Sequence, residues 1–465
     1  MNKLFFLLAL LTANFAYGDI YLPSILSDNM VLQQNEEVTV WGWTTESAEK
    51  ISVWGSWGND TVTTQADLGR WYLKLKTPQK GGPYKVFVKG HELLIINNVL
   101  IGEVWLGSGQ SNMEMSVGPR WYGGVENYET AIREADRPSI RLFTVKRRIA
   151  DYPQDDCEGK WVVCTPETVR DFSATAYFFC REINEKMHVP VGLIHSSWGG
   201  TNAESWMPEA VIENDPRHRE GLKVAPAYPS RPSTPAMAYN AMMYPLINFE
   251  IAGVIWYQGE NNRYDSENYS RLFPDLIKSW RLDRRDEFPF YYVQIAPYNY
   301  KKPYANLVRE AQLKTLSLPN TGMVVTNDIG DLKNIHPKNK EEVGRRLALW
   351  ALAKTYNQPD IVCSGPLYRS MAIKGNEIQI NFDHVEGGLV KEGEELTWFE
   401  IAGEDKKFVK ARAVIKRNSV VVSHQDIDNP VAVRFAFSDR AEPVLFNKAG
   451  LPASAFRTDS WRIEK

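Results

Sequence analysis

Cysteine is scarce in this chain of 465 residues, which holds only Cys157, Cys164, Cys180 and Cys363. They form no C-x-x-C pair, and the seven histidines contain no H-x-x-x-H pair. That pattern excludes a zinc-type His/Cys cluster as the basis of activity. Charge of one sign is also missing. The 54 Lys+Arg stand against 57 Asp+Glu, a formal net charge of -3. Such a balance supplies no drive toward nucleic acid or an anionic membrane. Past the N-terminus no hydrophobic run is long enough to span a bilayer. No internal repeat or low-complexity tract is present. With 43% hydrophobic and 24% charged residues, wholesale disorder is excluded as well.

What is present begins with an export signal. Lys3 supplies a positive start, residues 4–11 are apolar, and Ala16-Tyr17-Gly18 is a small-x-small cleavage site before Asp19. Residues 1–18 therefore read as a signal peptide, and no cysteine follows to carry a lipid anchor. The expected location is periplasmic or secreted, an oxidising setting. There Cys157 and Cys164, separated by a turn-like Glu158-Gly159-Lys160, are candidates for a small-loop disulfide. Cys180 lies inside an apolar helical run and is expected as a buried thiol.

The length suits two to three domains at roughly 150 residues each. Residues 19–100 read as a small β-sandwich. Period-two alternation runs through 38–43, 51–54, 71–76 and 84–89, with turn residues between. From 101 to 360 strand runs alternate with amphipathic helices. Strands are expected at 103–108, 140–145, 189–196, 251–257, 288–295 and 323–326. Helices are expected at 173–187, 269–281, 304–317 and 339–354. In the first of these, Ala176, Cys180, Ile183 and Met187 share a face, and Ser173 is a good N-cap. Alternating β and α elements imply a mostly parallel sheet with helices on both faces and chemistry at the strand ends. From 361 to 465 the chain turns β-rich again, with strands expected at 373–382, 396–401, 411–415, 419–422 and 431–437. The two β flanks are expected to form one accessory unit.

Several of those strand ends carry reactive or polar residues. Gly107-Ser108-Gly109-Gln110-Ser111-Asn112-Met113 follows the first strand, and a small residue tight after a strand aims its hydroxyl at the crevice. Ser196-Ser197-Trp198-Gly199-Gly200-Thr201 follows the third. Its paired glycines allow backbone N–H groups to approach a ligand closely. Trp256-Tyr257-Gln258-Gly259-Glu260-Asn261-Asn262 follows the fourth and offers an amide donor. Asn327-Asp328 to Ile335-His336-Pro337 follows the sixth, with His336 a candidate general base. A serine, a glycine N–H, an asparagine amide and a histidine at the ends of one sheet are the parts of a serine acyl hydrolase.

These motifs, in this order, resemble the SGNH (GDSL-like) hydrolases. More closely, Gly109-Gln110-Ser111-Asn112-Met113, Trp256-Tyr257-Gln258-Gly259-Glu260-Asn261 and Ile335-His336-Pro337-x-Asn339-Lys340 resemble the sialate O-acetylesterase family of carbohydrate esterases. The blocks at 22–33, Gly450-Leu451-Pro452-Ala453 and Phe456-Arg457-Thr458-Asp459 resemble it too. The resemblance implies an α/β fold, an SGNH-type three-layer α/β/α domain with β-sandwich regions at both ends. It implies Ser111 as nucleophile and His336 as base, with the Ser111 N–H, the Gly200 N–H and the Asn261 amide as oxyanion donors; Gly199 is the alternative glycine. The residues expected at the substrate are Gln110, Gln258, Glu260 and Trp198. No metal or organic cofactor is implied.

In the wider superfamily an Asp stands three residues before the histidine, whereas Lys333 stands there in this chain. Asp331 is the favoured acid partner of His336, with Asp328, a backbone carbonyl or no partner as alternatives. Trp121, Tyr122, Trp198, Trp206 and Tyr257 either stack on a sugar or pack. Glu204 and Glu260 either bind hydroxyls or hold loops. Arg309 and Glu310 are expected in structural ion pairs or on a solvated helix face. Arg120, Arg263 and Arg309 are the cations available to a sialic-acid carboxylate. The substrate implied is O-acetylated sialic acid, with acetylated xylan or xyloglucan as the alternative ester. A non-catalytic carbohydrate-binding protein is the alternative of another class. No nucleic-acid partner and no membrane anchor are expected.

Overall fold

A computed structural model describes residues 19–463, apart from Trp121, residues 225–231, Ser233, residues 301–303 and the side chain of Leu222. The proposed signal peptide, residues 1–18, lies outside the described residues. Among the described residues no helix is long and apolar enough to cross a membrane.

One strand organises the molecule. Leu93–Gly109 is 17 residues long and changes character along its length. Its first half alternates exposed and buried positions and pairs antiparallel with Gly81–Lys89. Its second half is buried on both faces and pairs in parallel with Val191–Ser197 on one side and Gly253–Tyr257 on the other. The expected boundary at residue 100 therefore falls inside a single strand. The N-terminal β region and the central sheet share that strand and one core. Val38, Val40, Trp71 and Leu73 from one β layer and Ile51, Val53, Val86 and Val88 from the next are buried in this core, together with Leu106 and Val254.

The central strands run in the order Trp161–Cys164, Arg137–Thr144, Val191–Ser197, Leu93–Gly109, Gly253–Tyr257, Phe290–Val293, Thr321–Val324. All pairings are parallel except that of Trp161–Cys164 with Arg137–Thr144. Successive strand residues point to opposite faces, and two helical layers receive them. Val254 and Trp256 pack in one core with Leu272, Phe273 and Leu276 of helix Ser266–Arg284 and Val308 of helix Ala305–Thr315. Ile255 and Tyr257 pack in another with Ala176, Cys180 and Ile183 of helix Ala174–Met187 and Val343 and Leu347 of helix Lys340–Trp350.

The helix ends obey local rules. Ser173 caps its helix by accepting the Ala176 N–H at 3.3 Å, and Asn339 caps the next by accepting the Glu342 N–H at 3.1 Å. These two helices touch at Gly344, where an added Cβ would stand 2.7 Å from the Phe179 backbone nitrogen.

The C-terminal flank has a core of its own, built on Ile378, Ile380, Phe399, Val420, Val422, Phe435 and Phe456. It does not merge with the N-terminal β region into one accessory core, as the sequence suggested. It docks instead on helix Ala305–Thr315. Arg457 grips Glu310 with both carboxylate oxygens at 3.0 Å, and Arg309 donates to the Ser438 carbonyl at 2.6 Å. The strand expected at 373–382 is a hairpin, Leu367–Lys374 and Glu377–Asp383, turning at Gly375 with φ +63. All four cysteines are free and buried. The Cys157–Cys164 disulfide is not formed, and burial pushes both thiols up to about 12.

Candidate active site

Ser111 opens the short helix Ser111–Glu114 two residues past the end of the central strand. Gly109 makes the exit possible. It sits at φ +135, and a Cβ there would stand 2.2 Å from the Tyr257 carbonyl. Only glycine takes that backbone at so close an approach. The strand register then assembles the site. Ser197 and Tyr257 are both paired with Gly109, so the segments that follow these three strands emerge side by side. Trp198 N–H donates to the Gly109 carbonyl at 3.1 Å and Gln110 N–H to the Tyr257 carbonyl at 3.0 Å. A Cβ at Gly199 would stand 3.2 Å from the Ser111 Cβ, which puts the Gly199–Gly200 turn against the serine.

His336 arrives from farther away, on the loop between strand Thr321–Val324 and helix Lys340–Trp350. It is brought in through the residue after the serine: Asn112 Nδ2 donates to the Ile335 carbonyl at 3.1 Å. The Tyr122 ring lies against the imidazole at a centroid separation of 4.3 Å. Burial first, and then the nearby Lys340 ammonium, push the His336 imidazole down to about 4.

Beside Ser111, Glu114 is a hub that sequence reasoning missed. Its carboxylate pairs with Arg147 and accepts from the Gly199 N–H at 2.9 Å and the Tyr122 hydroxyl at 3.1 Å. The signal was its place one helical turn after Ser111, on the same face. Arg147 also stands over Trp198, 5.8 Å from the ring centroid.

The structure brings Ser111, Gly200, Asn261 and His336 into one neighbourhood, but several expected side chains do other work. Asn261 Nδ2 donates to the Gly200 carbonyl at 3.1 Å and to Asn202 Oδ1. Gln110 Oε1 faces the Gly259 and Asn261 N–H groups at 3.5 and 3.4 Å and holds that turn. Gln258, expected at the substrate, is wholly buried instead. Its amide donates to the Thr201 carbonyl and to Asn262 Oδ1, and it accepts from the Tyr269 hydroxyl at 3.0 Å. Glu260, also expected at the substrate, is buried and accepts from Asn112 Nδ2, and burial raises its carboxyl. Trp198 remains half-buried at the site.

Asp331 does not pair with His336. Its Oδ1 accepts the Lys333 N–H at 2.8 Å, and the residue is exposed. Asp328 is held by Arg346 at 2.6 and 2.8 Å. Among the described residues the histidine–carboxylate pairs lie at His91, His218 and His424, not at His336.

Of the aromatics, Tyr122 is half-buried at the site, Trp206 and Tyr257 are core residues, and Trp121 lies outside the described residues. Glu204 is fully buried on Asn262, with its carboxyl pushed up to about 7 by burial. Arg263 is committed to the Glu260 carbonyl at 2.7 Å and to the Tyr264 ring. Arg309 is buried under the C-terminal flank, and Arg120 borders a surface cavity with Lys146 and Lys160.

Glu46, Glu49 and His91 bring metal-type ligand atoms within 4.8 Å of one another. They lie in the N-terminal β region, and the Glu49 oxygens already accept from the His91 N–H and the Thr44 hydroxyl.

A family model described as "Carbohydrate esterase, sialic acid-specific acetylesterase" matches residues 101–353. The sialate O-acetylesterase of Pongo abelii is 30% identical over 402 residues, covering 78% of this chain and 76% of the relative. That of Homo sapiens shows the same identity and coverage. Among solved structures, a carbohydrate acetylesterase from Xanthomonas citri is 35% identical, with a TM-score of 0.87 over 95% of this chain and 100% of that one.

Proposed function

The chain belongs to the sialic acid-specific acetylesterase family of carbohydrate esterases, and from that membership we propose how its own residues act. It is a carboxylic ester hydrolase that removes O-acetyl groups from carbohydrate, and we assign O-acetylated sialic acid as the sugar.

In this reading the Ser111 hydroxyl attacks the acetyl carbonyl while His336 takes its proton. The oxyanion is met by the Ser111 N–H, the Gly200 N–H and the Asn261 amide. The Gly199 N–H already donates to Glu114, which favours Gly200 as the glycine donor. Asn261 exchanges one of its present acceptors for the oxyanion. Collapse of the tetrahedral intermediate expels the sugar oxygen, which receives the proton from His336. Water, deprotonated by His336, then attacks acetyl-Ser111, and the second tetrahedral intermediate collapses to acetate as His336 returns the proton to the Ser111 oxygen. Losing one oxyanion donor typically lowers the rate about 10²–10³-fold.

The observation that carries the reading is the strand register. Gly109 is paired with both Ser197 and Tyr257, so the serine lies between a glycine turn and an asparagine at one sheet edge. We read the central layers as an SGNH-type domain and residues 1–18 as an export signal that delivers the enzyme to the periplasm or beyond.

Acetate release from O-acetylated sialic acid and from acetylated xylan, with Ser111→Ala alongside, tests the assignment. Release from the sialic acid that the variant abolishes supports both nucleophile and sugar. Release from xylan alone moves the substrate. Release from neither by folded protein overturns the reading.

A further inference from the structure

A carboxylate ordinarily orients a catalytic imidazole, and here Asp331 and Asp328 are engaged elsewhere. The His336 segment is nonetheless held from both sides. The carbonyl before it, Ile335, accepts from Asn112 Nδ2 at 3.1 Å. The carbonyl after it, Pro337, accepts from Lys340 Nζ at 2.5 Å. The same Nζ donates to Asn112 Oδ1 at 2.8 Å, and the second Asn112 Nδ2 proton goes to Glu260. Facing an ammonium on one side and two acceptors on the other, the Asn112 amide has only one orientation that satisfies every partner.

Asn112 follows Ser111 directly in the chain, so this small network ties the residue beside the nucleophile to both neighbours of the base. Resting on the Ser111–His336 reading above, we propose that Asn112 and Lys340 are positioning residues that clamp His336 against Ser111 through its two flanking carbonyls, in place of a triad acid.

The clamp is chemically unusual. Lys340 is fully buried, and taking an ammonium out of water is unfavourable unless it is paired and hydrogen-bonded. Its compensation comes from Asn112, the Pro337 carbonyl, the attraction of Glu260, and the Tyr257 ring, whose centroid lies 5.4 Å away. An apolar side chain of the same length would fill the space without those demands, but it would leave the Pro337 carbonyl unheld. Fixing the carbonyls on either side sets the backbone frame of residue 336. The Tyr122 ring then limits the swing of the imidazole.

The charged groups around this network are Glu260, with Arg263 behind it, His336 itself, and the Glu114–Arg147 pair beyond the Tyr122 ring. Removing the Lys340 charge therefore takes a cation away from the base, and His336 becomes easier to protonate.

The experiment compares wild type, Lys340→Met, Asn112→Ser and Ser111→Ala by acetate release from an O-acetylated sugar across pH, with thermal melts to confirm folding. Lys340→Met is expected to lower kcat about 10²-fold, the scale of a misplaced catalytic group, with KM little changed. Its acid limb in kcat/KM should move upward. Asn112→Ser, which keeps Lys340 bonded to the Pro337 carbonyl and in the field of Glu260, should lower kcat by at least about tenfold on the same principle and leave the acid limb in place. It also stands in if the methionine variant does not fold. Folded variants with wild-type kcat and an unmoved acid limb, beside an inactive Ser111→Ala, overturn the clamp and leave the dyad intact. An active Ser111→Ala overturns the dyad itself.

Discussion

At the scale of single residues, the His336 imidazole is pushed down to about 4, by burial first and Lys340 second. A base works when neutral, and a lowered value keeps it neutral over a wider acid range. The profile of kcat/KM should therefore stay flat from neutral pH down to about pH 5 and fall only near 4; an acid limb near the ordinary histidine value would contradict the site described here. Asp331 caps its own turn in the open, so Asp331→Asn should keep activity within about twofold, the range usual for surface changes that touch no catalytic group. A loss of several hundredfold would return Asp331 to the base. The places of Ser111, His336 and Asn261 beyond the ends of the central strands were legible in the sequence because each stands in a short motif that follows a strand. Gln258 and Glu260 stood in the same motif and went inward. A motif names the residues of a turn, but which of them face the crevice depends on the turn's hydrogen bonds, here those of Asn262, Tyr269 and Asn112.

At the scale of elements, two closely packed glycines leave no room for a side chain. Gly344 lies in a helix, where alanine alone would gain about 1 kcal/mol in propensity. The added Cβ would meet the Phe179 backbone nitrogen at 2.7 Å, and backbone cannot step aside. Gly344→Ala should thus lower stability by about 1–3 kcal/mol, the usual range for overpacking, read as a shift of the denaturant midpoint. Gly109→Ala should be worse and also abolish acetate release, since both its φ of +135 and the 2.2 Å approach to Tyr257 are forbidden to alanine. Periodicity located most helices and strands to within a few residues. It failed where one element carries two patterns. The Leu93–Gly109 strand passes from half-exposed to fully buried without a break, and a change of hydrophobic pattern reads as a domain boundary even when the backbone continues. At 373–382 the fault was the reverse, because the turn at Lys374-Gly375-Asn376 reads as the interior of one strand.

At the scale of the whole molecule, a buried ion pair, Arg457 with Glu310, ties the C-terminal flank to helix Ala305–Thr315. Arg457 is sandwiched between Glu310 and Asp459, with 11% of its side chain exposed. Removing Arg457 leaves Glu310 with Lys314 and Asp459 with Arg434, so the expected cost is that of an ordinary buried change, about 0.5–3 kcal/mol. Arg457→Ala should show that loss in a denaturant titration, and Arg457→Ala with Glu310→Ala should lose less than the sum of the single changes. The sequence by itself determined the class of the molecule, a β-flanked α/β hydrolase with a serine and a histidine at strand ends. Local periodicity and short motifs need no partners to be read. Only the tertiary structure decided that the flanks keep separate cores, that the cysteines stay apart, and that Asn112 and Lys340 bond the carbonyls on either side of His336 while Asp328 and Asp331 bond elsewhere. Each of those facts is a contact between segments far apart in the chain, such as residues 112 and 335, and long-range pairing is set by packing of the whole fold rather than by any local pattern.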